Sequence, residues 1–177
     1  MISYMTASSR NNFCTTLVVP FFVDPKSKDI LLPKDFAWIK KTQPYVTDFY
    51  PHHTQMKIGG IYTTPCILPG TAYKRLMFVR LGNDDIDALV HNCLLQLMDL
   101  TNERAYLPIF FLGSKLPESE VTQREIEGAI QFQQKNINNA QILLALMNQH
   151  PKAVEILNEY EIPNLGTWNP KDKKFDL

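Results

Sequence analysis

Several things are scarce in this chain. There are only three cysteines, Cys14, Cys66 and Cys93, an odd number at wide spacing and with no C-x-x-C pair. That argues against a thiolate-based zinc site or a disulfide framework, and small buried hydrophobes are the expected reading. Neither charge sign is in excess, since Lys+Arg and Asp+Glu are both 18 and the formal charge is zero. A nucleic-acid partner, which favours a basic protein, is not expected. No apolar run reaches membrane-spanning length, because Asp84, Asp85 and Arg104 interrupt the longest candidates. The start, MISYMTASSRNN, has no apolar core of the kind a secretory signal needs. A cytoplasmic protein without a membrane association is expected, with non-classical export left open. Motifs of the G-x-S-x-G, H-E-x-x-H and G-x-x-x-x-G-K kinds are missing.

What is present is an alternation of strands and helices. Arg75–Leu81 (RLMFVRL), Tyr106–Leu112 (YLPIFFL) and Ala140–Met147 (AQILLALM) read as strands. Helical segments follow each of them, over about 84–100, over Glu120–Gln134 and over Pro151–Tyr160. This order predicts an α/β protein. The strands are apolar on both faces, so the sheet should be covered on both sides, as a three-layer α-β-α sandwich with a mixed, largely buried sheet. Phe13–Val23 (FCTTLVVPFFV) is a further strand that stops at the turn signal Asp24-Pro25-Lys26-Ser27. Asp35–Lys41 suits a short helix, and Met56–Thr64 a strand interrupted near Gly59-Gly60. The composition, 45% apolar and 20% charged, suits one globular domain. The expected limits are a loose segment over 1–12, the domain over 13–162 and a tail over 163–177 that Trp168 and Phe175 tack onto the body.

Local signals support the helices. Asn83 can cap a helix whose first turn carries Asp84, Asp85 and Asp87, where carboxylates favour the positive end of the dipole. Thr122–Glu125 has the T-x-x-E pattern of a capping box, with Ser119 as an earlier cap. Pro151 suits a first turn.

Two places carry candidate function. Gly113-Ser114-Lys115 follows a buried strand and precedes a helix, where α/β proteins bind ligands, and Lys115 suits an anion. The plainer reading is an ordinary strand-to-helix loop with a solvated lysine. Tyr45, Phe49, Tyr50 and His52 gather with His53 in an irregular stretch broken by Pro44 and Pro51. Loop aromatics can stack on a base or anchor a partner, or they can plug the loop onto the core. His52 and His53 alone make too few ligands for a metal. His91 and His150 have no nucleophile at a recognisable spacing, and the carboxylates at 84–87 are explained by a solvated helix start.

The order of elements resembles the macro-domain superfamily, including the N-terminal domain of leucine aminopeptidases, over roughly Phe13 to Tyr160. Thr15–Val23 (TTLVVPFFV) resembles its first core strand, and Thr64–Gly82 (TPCILPGTAYKRLMFVRLG) the stretch that leads into a strand ending in Gly. Tyr106–Gly113 (YLPIFFLG) resembles the strand before the second phosphate loop. The resemblance implies an ADP-ribose or related nucleotide pocket at a rim of Asp24, Gly59, Gly60, Gly113, Ser114 and Lys115. The departures count against the usual diphosphate cradle. No Asn and no glycine cluster follow Val23, the second loop holds one glycine, and only seven glycines occur in all. Peptidase activity is not implied, because the aminopeptidases carry it in a separate domain.

The expectation is a macro-like binding or interaction module without catalysis of its own, recognising a protein or a nucleotide-type ligand. The alternatives are a divergent ADP-ribose-processing hydrolase and a structural or oligomerisation domain, including a homo-oligomer. No cofactor and no metal is expected. Elemental analysis of tag-free protein should accordingly find no stoichiometric zinc; one zinc per chain, lost on substituting His52 and His53 together, would overturn this.

Overall fold

The computed structural model describes residues 1–6, 16–32, 36–42, 53–65, 73–82, 104–109, 116–135, 141–146, 151–169 and 171–177. In chain order the elements are β1 (Ile2–Thr6), β2 (Thr16–Val23), β3 (Ile30–Leu31), α1 (Ala37–Thr42) and a 3-10 turn (His53–Gln55). They continue with β4 (Ile61–Pro65), β5 (Arg75–Arg80), β6 (Arg104–Ile109), α2 (Glu118–Lys135) and β7 (Gln141–Leu146). Last come α3 (Pro151–Glu159), β8 (Asn164–Asn169) and β9 (Lys174–Asp176). The expected helix over 84–100 lies outside the described residues, as do all three cysteines.

The strands form one mixed sheet in the order β4-β5-β2-β6-β7-β1-β8-β9, with β3 paired to the end of β2. From β5 to β8 the neighbours are parallel, while β4 and β9 join the edges antiparallel. Alternate residues point to opposite faces of a strand, and here both sets are apolar. Val18, Met77, Val79, Ile142, Leu144 and Leu146 pack on one face with Val121, Ile126, Ala129 and Phe132 of α2 and Ala153, Ile156 and Leu157 of α3. Leu17, Val19, Phe21, Leu76, Phe78, Leu143 and Ala145 pack on the other with Phe36 and with Trp38 and Ile39 of α1. Helices therefore cover both faces, giving the expected α/β architecture. Gln141–Leu146 has good helix formers, yet it is a strand because only an extended chain divides these residues between two cores.

Three expectations are corrected. Residues 2–6 are not loose: β1 lies between β7 and β8, Met5 is wholly buried, and the Tyr4 hydroxyl donates to Asn158 Oδ1 of α3 at 3.1 Å. Residues 163–177 are not a tail outside the domain either, because they add two strands to the sheet. β8 and β9 form a hairpin in which Trp168 and Phe175 meet edge to face, with ring centroids 5.1 Å apart, and both pack against the core on the α1 face. Gly166 takes φ +86°, and a Cβ there would lie 2.3 Å from the carbonyl oxygen of Asp176. It serves the one-residue shift in the β1–β8 pairing between Tyr4 and Thr6 rather than breaking the chain.

The third correction is the start of α2. The helix begins at Glu118, and the Pro117 carbonyl accepts from the amides of Glu120 (3.0 Å) and Val121 (3.1 Å). Ser119 and Thr122 are thus inside the helix, not caps. Thr122 and Glu125 are buried beside the stripe of Val121, Ile126, Ala129 and Phe132, so packing rather than capping decides their position. On the exposed side Glu127 accepts from Gln123 Nε2 (2.9 Å) and from the Tyr160 hydroxyl, joining α2 to the end of α3. Those two donors, Tyr160 first, hold the Glu127 carboxyl below its ordinary pKa.

Deleting residues 1–6 should abolish cooperative urea unfolding followed by circular dichroism. A truncated chain that unfolds like the intact one would show that β1 is dispensable.

Candidate functional site

Because β2, β5, β6, β7 and β1 run parallel, their carboxyl ends all open on one end of the sheet. Open α/β sheets bind ligands at that end. Asp24 directly follows β2, and the Gly59-Gly60 turn lies beside the end of β5, because β4 returns antiparallel along that strand. Gly113, Ser114 and Lys115 follow β6 in the chain and lie outside the described residues. So do Tyr45, Phe49, Tyr50 and His52, and His91 and His150.

Asp24 organises its own turn. Its Oδ1 accepts from the backbone amides of Lys26 (2.7 Å) and Ser27 (3.0 Å), while its backbone pairs with Asp29 and Lys28. The two amides, Ser27 first, hold the carboxyl below its ordinary 3.8. The Gly59-Gly60 pair closes a tight turn: the Gly60 amide donates to the Lys57 carbonyl (2.8 Å) and Gly59 takes φ +82°. A Cβ on Gly60 would lie 2.8 Å from the same carbonyl oxygen, so both positions call for glycine. The Gly59 amide donates to the Arg80 carbonyl at 2.8 Å. Both glycine N–H groups are therefore engaged by backbone carbonyls and are not open donors.

Two residues bind this rim together: His53, a member of the expected cluster in a different role, and Arg80, which lay outside the expected set. His53, largely buried, places Nε2 2.6 Å from the Lys28 carbonyl, and since a carbonyl only accepts, that nitrogen carries the hydrogen. It ties the 3-10 turn to the turn after β2. Arg80, the last residue of β5, donates from Nη1 to the carbonyls of Thr54 (3.3 Å) and Met56. It ties the same segment to the sheet. Reading RLMFVRL as a strand passes over Arg80; the available signal was a second cation just after the apolar run Leu76–Val79. Among the described residues, no group of three or more His, Cys, Asp or Glu is placed to hold a metal ion. No helix among them is long and apolar enough to cross a membrane.

Comparison with known proteins bears on the scaffold. No protein-family model and no curated protein sequence matches the chain. Solved structures do. The macro domain of ganglioside-induced differentiation-associated protein 2 matches with a TM-score of 0.69 at 11% identity, over 92% of this chain and 84% of that one. An Oceanobacillus iheyensis macrodomain variant solved with ADP-ribose matches with 0.64 at 14% identity, over 89% and 92%. A Trypanosoma brucei macrodomain in complex with ADP matches with 0.65 at 10% identity, over 88% and 68%. The chain has the fold of a macrodomain.

The Asp24 turn generates a pH prediction. A carboxyl whose pKa is lower in the folded than in the unfolded chain stabilises above the unfolded value and loses that contribution as pH falls through the folded one. The Lys26 and Ser27 amide signals should therefore titrate with a midpoint below 3.8 by NMR, and Asp24→Asn should abolish that step. A midpoint at or above 3.8 would show that the amides do not favour the charged form.

Proposed function

We propose that this chain is a macro-like binding module for a nucleotide-type ligand, ADP-ribose foremost, without catalysis of its own. The supporting observation is positional: Asp24 and the Gly59-Gly60 turn come together at the carboxyl ends of β2 and β5. The scaffold is one whose solved relatives include macrodomains holding ADP-ribose or ADP. In this reading Gly113, Ser114 and Lys115 complete the rim and supply the anion contact. Tyr45, Phe49, Tyr50 and His52 supply stacking surface. The reading as a binder rather than a hydrolase rests on the loops, which lack the glycine cluster that would seat a diphosphate against backbone amides.

One observation favours a protein partner as the second reading. Leu31 is 45% and Ile58 60% exposed, and both belong to the segments that His53 joins at this rim. Exposed aliphatic side chains beside a binding edge suit an interface.

Calorimetric titration of ADP-ribose tests the proposal. Binding should occur in the wild type and weaken in Lys115→Ala, which removes a charge, and in Gly113→Val, which blocks close backbone approach. A charge-assisted contact contributes about 1.5–3 kcal/mol, so affinity should fall on the order of tenfold or more. No heat with the wild type would sink the nucleotide reading in favour of the protein partner. Binding indifferent to both changes would place the pocket elsewhere.

A further inference from the structure

We infer that Arg80 presents a built anion-binding edge at this rim, one that takes a phosphate or pyrophosphate group through its side chain rather than through loop amides. The guanidinium has five N–H donors in a fixed plane. Nη1 spends its two on the neutral carbonyls of Thr54 and Met56. Nε and Nη2, which lie on the opposite edge of the group and carry the other three, have no acceptor among the described residues. That edge is the fork whose spacing matches two oxygens of a phosphate.

Further observations point to the same guanidinium. Arg80 forms no ion pair with any carboxylate among the described residues, and it engages no side chain there. It is partly exposed, and its nitrogens are not among the buried atoms without partners. Two carbonyl bonds hold the guanidinium in place, so little conformational freedom remains to be lost on binding. The neighbouring turns carry Lys26, Lys28 and Lys57 against Asp24 and Asp29, so the local balance is also cationic. A positive charge held against neutral carbonyls, with no carboxylate partner among the described residues, is partly stripped of water and is stabilised when an anion arrives.

The inference rests on the proposed function only for what carries the phosphate, and inorganic pyrophosphate separates the two. Wild type, Arg80→Gln and Arg80→Lys are titrated calorimetrically with pyrophosphate and with ADP-ribose, and the side-chain Nε–H signal of Arg80 is followed by NMR in the wild type. Pyrophosphate should bind the wild type and shift that signal. Its affinity should drop about tenfold or more in Arg80→Gln, and less in Arg80→Lys, which keeps charge but loses the fork. Pyrophosphate binding that needs Arg80, without ADP-ribose binding, supports the inference and removes the nucleotide reading. Binding of neither ligand overturns it, as does undiminished pyrophosphate binding by Arg80→Gln. So does weakened binding in Arg80→Gln when the wild-type Nε–H signal ignores pyrophosphate, for then Arg80 only braces the 53–56 segment.

Discussion

Burial of both faces of the central strands is the constraint on which the structure depends. Val18 and Val79 face one core while Leu17, Val19 and Phe78 face the other, and β7 divides Ile142, Leu144 and Leu146 from Leu143 and Ala145 in the same way. Such strands expose no face to water without losing a large hydrophobic contribution, so α2 and α3 must cover one side and α1 with its flanking residues the other. Parallel pairing follows from the same arrangement, since covering helices are what connect parallel neighbours. All the strand ends that matter for binding then collect at one end of the sheet.

Among the described residues at that end, the turn after β2 and the turn before β4 satisfy their own backbone. The Gly59 and Gly60 amides serve Arg80 and Lys57 carbonyls, and the Lys26 and Ser27 amides serve Asp24. Turns whose main-chain donors already have partners leave side chains as the groups able to contact anything further. His53 and Arg80 differ from the glycines in this respect: each holds two segments together, and the Nε and Nη2 of Arg80 have no acceptor among the described residues.

The elements that could be read from the residues are those whose signal is local. RLMFVRL and AQILLALM show apolarity on both faces within a few residues, and the 118–135 helix shows its stripe in Val121, Ile126 and Ala129. The turn at Asp24-Pro25 and the Gly59-Gly60 break were legible for the same reason. β1 was not, because ISYMT is short and half polar and its partners, β7 and β8, lie far along the chain. The tail hid its hairpin in charge, with only Trp168 and Phe175 to betray the packed side. Arg80 and the bracing role of His53 escaped because each grips backbone carbonyls roughly 25 residues away. Carbonyl partners are common to every residue type and leave no trace in composition.

The position of β1 has a consequence for how the chain reaches this state. Its neighbours on either side are β7 and β8, so Ile2, Tyr4 and Met5 find their places only after residues 141–169 have been synthesised. A nascent chain must hold these apolar residues without their sheet partners until those later strands have been made. Contacts so distant in sequence also slow the search for the native topology. The middle of the sheet is thus completed by a segment that has to wait for strands far along the chain.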